Sequence, residues 1–277
     1  ISKANVKGDV RGYDAHSRNL LWTFETIPSK GEYGYDTWLN GSADYTGNAS
    51  VWAPMSADED LGLVYLPIES ATGDRYGGDR PGDNLFSSSL VAVDVKTGKL
   101  QWHFQIVHHD IWDYDNSSAP IVADLNEKKV VIQLTKQSYA FVFDRETGEP
   151  YWPIYEVEVP KSDVPGEWTS PTQPIPSLPE AYDRSGVSRD DLIDYTPEIS
   201  EAVDNLIKDF RLGPLYTPPS LADSADGTKG TLSLPFPTGG SNWEGGAYDP
   251  ETNFLYVPSQ TKLALLSLKD GGDATDI

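Results

Sequence analysis

Apolar and polar positions alternate along most of the chain in short runs closed by turns, and one such arrangement recurs three times. Asp14 to Trp22 reads DAHSRNLLW, Asp94 to Trp102 reads DVKTGKLQW, and Asp144 to Trp152 reads DRETGEPYW. In the latter two an apolar strand (Val91, Val93; Phe141, Phe143) runs into Asp, a Thr-Gly turn reverses the chain, and a second strand carries Trp. Period-two alternation predicts half-buried strands and Gly supplies the positive φ of the reversal, so each phrase predicts a β-hairpin. A second phrase occurs twice: Trp52, Asp58, Tyr65, Pro67 and Trp243, Asp249, Tyr256, Pro258 share offsets of six, thirteen and fifteen residues.

Two hairpin types in alternation make a four-stranded unit, so residues 50–107 and 117–155 each read as one antiparallel sheet. Four-stranded sheets repeated in series predict an all-β fold, a β-propeller. A β-sandwich is the rival, but sandwiches do not repeat an Asp-to-Trp phrase at fixed offset. Residues 1–27 and 240–277 read as further blade pieces of the same domain, 1–277. Residues 156–237 break the pattern with a Pro-rich insertion containing one helical segment, Asp190 to Phe210, whose Ile193, Ile199, Val203, Ile207 and Phe210 share a face. A propeller closes with at least about four blades. With two whole blades and a start at Ile1-Ser2-Lys3, the chain reads as a piece completed by a missing segment or a second chain.

Composition narrows the classes. Of 277 residues, 38% are hydrophobic and 11% aromatic, which excludes a disordered acidic chain. Against 43 acidic side chains stand 21 basic ones, a net charge of -22 that opposes nucleic acids and anionic lipid surfaces. No apolar run approaches the roughly 20 residues that span a bilayer. Absence of cysteine removes disulfides, thiolate metal sites and thiol nucleophiles.

The densest polar cluster is His108, His109, Asp110, Ile111, Trp112, Asp113, Tyr114 and Asp115. Its residue types suit a zinc or calcium site, a carboxylate base made less acidic by a neighbouring indole, or a solvated turn with Trp112 in the core. Trp52 has small neighbours (Gly47, Ala49, Ser50, Ala53) that leave room for a flat partner, or it fills a blade core. Lys136 interrupts a β-rich run from Val130 to Phe143, either guarding an edge or aimed at an electron-rich ligand atom. Asn242 follows Gly239 and Gly240, which permit close backbone approach to a ligand.

Together these residues resemble the pyrroloquinoline quinone (PQQ)-dependent dehydrogenases, the quinoprotein alcohol and glucose dehydrogenase family. The matching segments include GNASVWAPMSADEDLGLVYLP, GDNLFSSSLVAVDVKTGKLQWHFQIVHHDIWDYD, TKQSYAFVFDRETGEP, DVPGEWTSPTQP and GGSNWEGGAYDPETNFLYVPS. HHDIWDYD and DVPGEWTSPTQP look most like the membrane glucose dehydrogenase branch. The resemblance implies a fragment, about half, of an eight-bladed propeller. It implies Asp113 as catalytic base, and Lys136 as the cation that hydrogen-bonds the quinone oxygens and polarises the accepting carbonyl. Trp52 is implied as the stacking indole, with Ser50, Asn242 and Trp243 as further cofactor contacts.

Calcium is the implied metal, near Asp113, but the family's Asn after the stacking Trp is replaced here by Glu69-Ser70. Either residue then substitutes, or the ion is held by residues outside this chain. The implied activity is PQQ- and calcium-dependent oxidation of a sugar, polyol or alcohol in the periplasm, with electrons passed to a quinone or cytochrome and any membrane association made by parts outside this chain. A noncatalytic propeller scaffold of the same repeat family is the alternative, and a metal hydrolase using His108, His109 and Asp110 is a third reading.

Overall fold

The computed structural model describes residues 6–125 and 127–269. The chain begins with a hairpin, β1 (Val10–Tyr13) and β2 (Leu20–Phe24). A four-stranded antiparallel sheet follows in the order β3 (Ser56–Asp58), β4 (Leu63–Pro67), β5 (Ser89–Asp94), β6 (Leu100–Gln105). Next comes a three-stranded sheet of β7 (Ile121–Leu125), β8 (Lys128–Leu134) and β9 (Ala140–Asp144).

These sheets stack face to face, and the alternation of side chains along β5 sets the order. Val91 and Val93 point into a core shared with Val10 and Phe24 of the first hairpin. Leu90 and Ala92 point the other way, into a core shared with Val131, Phe141 and Phe143 of the next sheet. Val130, Ile132 and Val142 in turn face Tyr248 and Leu255 across a third core. A strand buried on both faces is apolar without interruption, which is why SLVAVD reads as a continuous run. Radial stacking of sheets in chain order is propeller architecture.

The repeated Asp is a turn device. Asp14, Asp58, Asp94, Asp144 and Asp249 each accept, through Oδ1, the backbone N–H two residues on. Each main-chain carbonyl also accepts the N–H four residues on, from Arg18, Gly62, Gly98, Gly148 and Asn253. All five of those residues have φ between 60° and 76°. Side-chain capping of the backbone fixes the reversal, and glycine or asparagine takes the left-handed position cheaply. The repeated Trp then docks onto the next blade: Trp22 Nε1 donates to Val95 O at 3.0 Å over Gly98, and Trp102 Nε1 to Arg145 O at 3.3 Å over Gly148.

Three expectations need correction. Residues 117–155 hold three strands, and a single bridge, Phe143 to Pro150, stands in place of a fourth. Pro150 and Pro153 have no N–H to give a ladder there. At the C-terminal side, β14 (Ala247–Asp249) and β15 (Phe254–Tyr256) form the expected hairpin, but β16 (Ala264–Leu268) leaves it. It pairs instead with two insertion strands, β12 (Ser220–Leu221) and β13 (Thr231–Ser233).

The insertion also carries a hairpin, β10 (Ile154–Glu158) with β11 (Thr172–Pro176). Its helix is shorter than expected: α1 spans Pro197–Ile207, capped by Thr196, whose side chain accepts Ile199 N–H. Pro197 suits the first helical position and biases Thr196 to extended backbone, so the pattern from Asp190 onward does not continue as one helix. Ile199, Val203 and Ile207 form the half-buried face, while Ile193 stays exposed. The ends of the outer blade pieces, 1–5 and 270–277, lie outside the described residues. Among the described residues no helix is long and apolar enough to cross a membrane.

Candidate active site

The loop after β6 uses strand-like alternation to serve two environments. Trp112 and Tyr114 turn into the core, where Trp112 Nε1 donates to Thr217 O at 3.0 Å and Tyr114 OH to Pro235 O at 3.1 Å. Asp113 and Asp115 turn the other way and line a cavity of about 510 Å³ with Asn48, Ser50, Trp52, Glu69, Ser70 and Asp74. Asp110, fully buried, holds the loop by accepting Trp112 N–H at 2.9 Å and Tyr114 N–H at 2.8 Å. Asp113 itself sits at φ 63°, a conformation costly for a residue with a Cβ that persists where surrounding bonds over-determine it. Trp112 is therefore the core residue of this motif, and the chemistry falls to its neighbours.

Lys136 ties the two cleft carboxylates together. It lies in the turn between β8 and β9, almost wholly buried, and is neither on an edge strand nor solvated. Its Nζ donates to Asp115 Oδ2 at 2.9 Å, to Asp113 Oδ1 at 3.1 Å and to Asp113 O at 2.7 Å. Arg75 Nη2 reaches the other oxygen, Asp113 Oδ2, at 3.0 Å. Ser70 N–H and Oγ both donate to Asp115 Oδ1 at 2.8 Å.

Burial and neighbouring charge pull the two carboxyls apart. Burial pushes Asp113 up to about 7 against the opposing pull of Lys136, with the Asp115 charge adding to the rise. Burial also acts to raise Asp115, but Lys136 and the two Ser70 donors overcome it and hold its carboxyl below the usual range. Lys136, which burial alone would lower, is raised by Asp115 and Asp113. Two carboxyls of opposite tendency in one cleft are an acid–base arrangement: Asp115 stays charged to pair with Lys136 while Asp113 can exchange a proton near neutrality.

The opposite wall comes from the segment before β3. Trp52 is 44% exposed at the cavity, so it is not a blade-core residue. Its ring offers an uncovered aromatic face. Asn48 and Ala49 have positive φ, at 63° and 54°, and lead the chain into this wall. Ser50 donates through N–H at 3.1 Å and through its hydroxyl to Glu69 Oε1. Burial raises the Glu69 carboxyl, with Ser50 opposing and Asp115 reinforcing.

Other expected site residues lie elsewhere. Asn242 lines a separate hollow of about 220 Å³ with Ser241, Glu244 and Gln260, and its Nδ2 donates to Thr238 O at 2.7 Å. Trp243 is exposed. The glycines before them serve a protein contact: a Cβ on Gly239 would come within 2.5 Å of Lys136 Cα, and Gly240 N–H donates to Lys136 O at 2.9 Å. Segment 239–242 thus backs the Lys136 turn, and Asn242 lies outside the main cavity.

His108 and His109 diverge. His108 contacts Gln105 Oε1 and Glu156 Oε1 at 2.9 and 3.1 Å, and His109 contacts Gly82 O and Glu167 Oε1 at 2.8 and 3.1 Å. With every ring nitrogen engaged by a different partner, the hydrolase reading that joined them in one metal site fails on geometry. These contacts instead join the insertion to the blade loops, since Glu167 Oε2 also accepts Gly77 N–H at 2.8 Å. Sequence reasoning missed Arg75 and left Asp115 without a role. The Asp-x-Asp spacing around Tyr114 was a usable signal for Asp115; nothing in the pattern marked Arg75.

The lining can seat a flat cofactor, with Trp52 offering an aromatic face and Ser50 a hydroxyl, and the buried Lys136 cation lies behind Asp113 and Asp115. Glu69 and Asp113 offer oxygens of the kind calcium takes. Among the described residues no three carboxylates or imidazoles converge as a metal-holding group. Ser70, already donating to Asp115, acts chiefly to orient that carboxylate.

Comparison with known proteins shows the family. A family model described as PQQ, glucose/ethanol/alcohol dehydrogenase, β-propeller domain matches residues 1–277. Quinoprotein glucose dehydrogenase A of Acinetobacter calcoaceticus is 33% identical over 273 residues, 90% of this chain and 31% of its own length. The glycerol dehydrogenase large subunit of Gluconobacter oxydans (strain 621H) is 35% identical over 264 residues, 90% of this chain and 33% of its own. The structure of quinohemoprotein alcohol dehydrogenase from Comamonas testosteroni superposes with a TM-score of 0.62 at 23% identity, covering 94% of this chain and 34% of that one, a likeness of fold. The chain spans about a third of the length of these relatives.

Proposed function

The chain belongs to the PQQ-type glucose/ethanol/alcohol dehydrogenase β-propeller family, and from that membership we propose that it carries the base, the cation and the aromatic wall of a site oxidising a hydroxyl of a sugar, polyol or alcohol. The observation that carries the reading is the placement of Asp113: a carboxyl pushed up to about 7, hydrogen-bonded to buried Lys136 in a cleft that Trp52 also lines.

Bound PQQ supplies the hydride-accepting carbonyl carbon, and calcium beside it a Lewis acid. Within this chain, Asp113 takes the hydroxyl proton as the carbinol carbon gives up hydride, so the alcohol leaves as a carbonyl compound two electrons poorer. A base whose pKa lies near the working pH serves that transfer best. Lys136 holds Asp113 in place and brings positive charge to the cofactor's side of the cleft, where negative charge develops on oxygen. Trp52 would stack on the flat ring system with Ser50 beside it, and Glu69 and Asp113 would contribute oxygens to calcium. Asn242, at its separate hollow, and exposed Trp243 would be further cofactor contacts. In the intact protein the electrons pass to a quinone or cytochrome in the periplasm, and the rest of the propeller comes from protein outside residues 1–277.

The test is dye-linked turnover of the full-length protein reconstituted with PQQ and calcium, against sugars, polyols and alcohols, for the native sequence and Asp113→Asn. The native protein is expected to show a quinone absorbance and turnover, and the variant to keep the absorbance and lose turnover. Unchanged turnover in the variant removes Asp113 as base; absence of both absorbance and turnover leaves a binding scaffold.

A further inference from the structure

The base and one of its cations stand on two irregular loops, residues 72–80 and 106–115, neither of which contains a strand or helix. The first brings Asp74 to the cavity wall and Arg75 Nη2 to 3.0 Å from Asp113 Oδ2. The second carries Asp113 itself, with His109 and Asp113 at φ 47° and 63°. Backbone in that region persists only where its surroundings over-determine it, so these loops need fixing from outside.

Glu167 of the insertion is placed to fix both. Its side chain is 1% exposed and lies where the two loops meet. Oε2 accepts Gly77 N–H of the first loop at 2.8 Å, and Oε1 faces His109 Nε2 of the second at 3.1 Å. His109 Nδ1 lies 2.8 Å from Gly82 O, and its ring meets the Trp168 ring in a T-shape at 4.8 Å. A carbonyl can only accept, so Nδ1 carries the proton there and Nε2 is the nitrogen presented to Glu167. The packing leaves no slack. A Cβ on Gly77 would come within 2.5 Å of His109 Nε2, and one on Gly78 within 2.8 Å of Gly166 O. Tyr76 OH donates to Pro165 O at 3.2 Å, a second tie between the first loop and the same segment of the insertion.

Buried charge explains why a carboxylate stands at this junction. Arg80, fully buried, donates to Thr72 O at 2.9 Å and Gly73 O at 2.7 Å in the first loop and to Asp110 O in the second. Burial works against its charge, and the carboxylates of Asp110 and Glu167 work for it. Arg80, His109, Asp110 and Glu167 thus form one buried polar network, and such a network holds a single arrangement when its members are satisfied.

We propose that Glu167 is a positioning residue of the active site: it clamps the Arg75 loop to the Asp113 loop, holds the base in its working orientation and makes the insertion part of the catalytic framework. The inference rests on the dehydrogenase reading above. Glu167 does not line the cavity, so its effect passes through the two loops.

The experiment compares Glu167→Ala and Glu167→Gln in the full-length protein carrying PQQ and calcium. Glu167→Ala is expected to lower kcat at least about tenfold with KM nearly unchanged, because misplacing a catalytic group by about 1 Å costs up to about 100-fold. Glutamine keeps an acceptor for Gly77 N–H and can donate to His109 Nε2, so Glu167→Gln should recover most of kcat. In an Arg75→Gln background Glu167→Ala should cost clearly less, since the contact it maintains is already gone. Unchanged kcat in Glu167→Ala, a loss carried by KM, or additive losses with Arg75→Gln overturns the inference. Hydrogen exchange of the cofactor-free, full-length protein separates the clamp from the dehydrogenase reading. Glu167→Ala is expected to speed exchange in residues 72–80 and 106–115 and to leave β4, β5 and β8 as in the native protein. That pattern keeps the clamp even where the native protein oxidises no substrate, and the dehydrogenase reading alone then falls. Exchange raised evenly through the sheets, or unchanged in both loops, removes the clamp even where sugars and alcohols are oxidised.

Discussion

The Lys136 ammonium lies 2.9 Å from Asp115 Oδ2, with 4% of the lysine side chain and 10% of the aspartate side chain exposed. Replacing Lys136 with Met keeps most of the volume and leaves two buried carboxylates facing each other. Breaking a buried pair by removing one partner costs about 3–5 kcal/mol. Chemical denaturation should show a loss of that order for Lys136→Met, and Asp115→Asn combined with it should recover much of the loss, because the uncompensated charge is then gone. Additive losses would mean that the pair is not coupled.

Asp113 gives the cleft a pH dependence of definite sign. Its carboxyl is raised to about 7 from an ordinary 3.8, chiefly by burial, so the folded state binds this proton more tightly than the unfolded chain does. The stabilising contribution is complete below about 4 and is lost as the pH rises through about 7. Buried His109 and half-buried His103, both lowered by burial, act in the opposite direction below their ordinary value, so the informative quantity is a difference. In the cofactor-free protein the melting temperature of Asp113→Asn should gain on that of the native sequence between pH 5 and pH 8. A difference that stays constant over that range would show that Asp113 does not titrate within it.

Much of the fold was legible because its signals are local. The Asp-to-Trp phrase encodes a side-chain-capped turn plus an indole that docks on the following blade, both visible as fixed spacing at Asp94 and Trp102. The missing fourth strand at Pro150 was legible too, had the two prolines been weighed against the repeat. The partners of β16 were not, since Leu265 and Leu266 alternate equally well for any sheet and only long-range pairing decides between them. In the site, Trp52 and Asp113 line one cavity, and Lys136 lies behind Asp113. Arg75 escaped notice because its role comes from a loop braced by Glu167, about ninety residues away in the chain.

Blade-to-blade docking gives a stability prediction at Gly148. A Cβ there would come within 2.6 Å of Trp102 Cδ2, and φ is 76°. Gly148→Ala should therefore cost more than the roughly 1–2 kcal/mol of the left-handed backbone alone. Trp102→Ala should cost about 3–5 kcal/mol as a large buried side chain. Because the clash needs the indole, the double variant should lose clearly less than the sum of the two, measured by urea denaturation. A simple sum would mean that the alanine methyl meets something other than the ring.

Glu69 offers a test of the metal assignment that does not depend on turnover. The carboxyl lines the cavity and accepts from the Ser50 hydroxyl and N–H. Glu69→Gln keeps an acceptor for those donors and removes the charge, so the wall is preserved while the hard anionic oxygen that calcium prefers is lost. Calorimetric titration of the full-length, PQQ-free protein with calcium should show affinity weakened by about 10–100-fold in the variant. Ser50→Ala, which frees the same carboxylate from one donor, should leave calcium affinity equal or stronger. Were both variants to bind calcium like the native protein, the ion would be held by residues other than Glu69, and Asp113 would remain as this chain's candidate ligand.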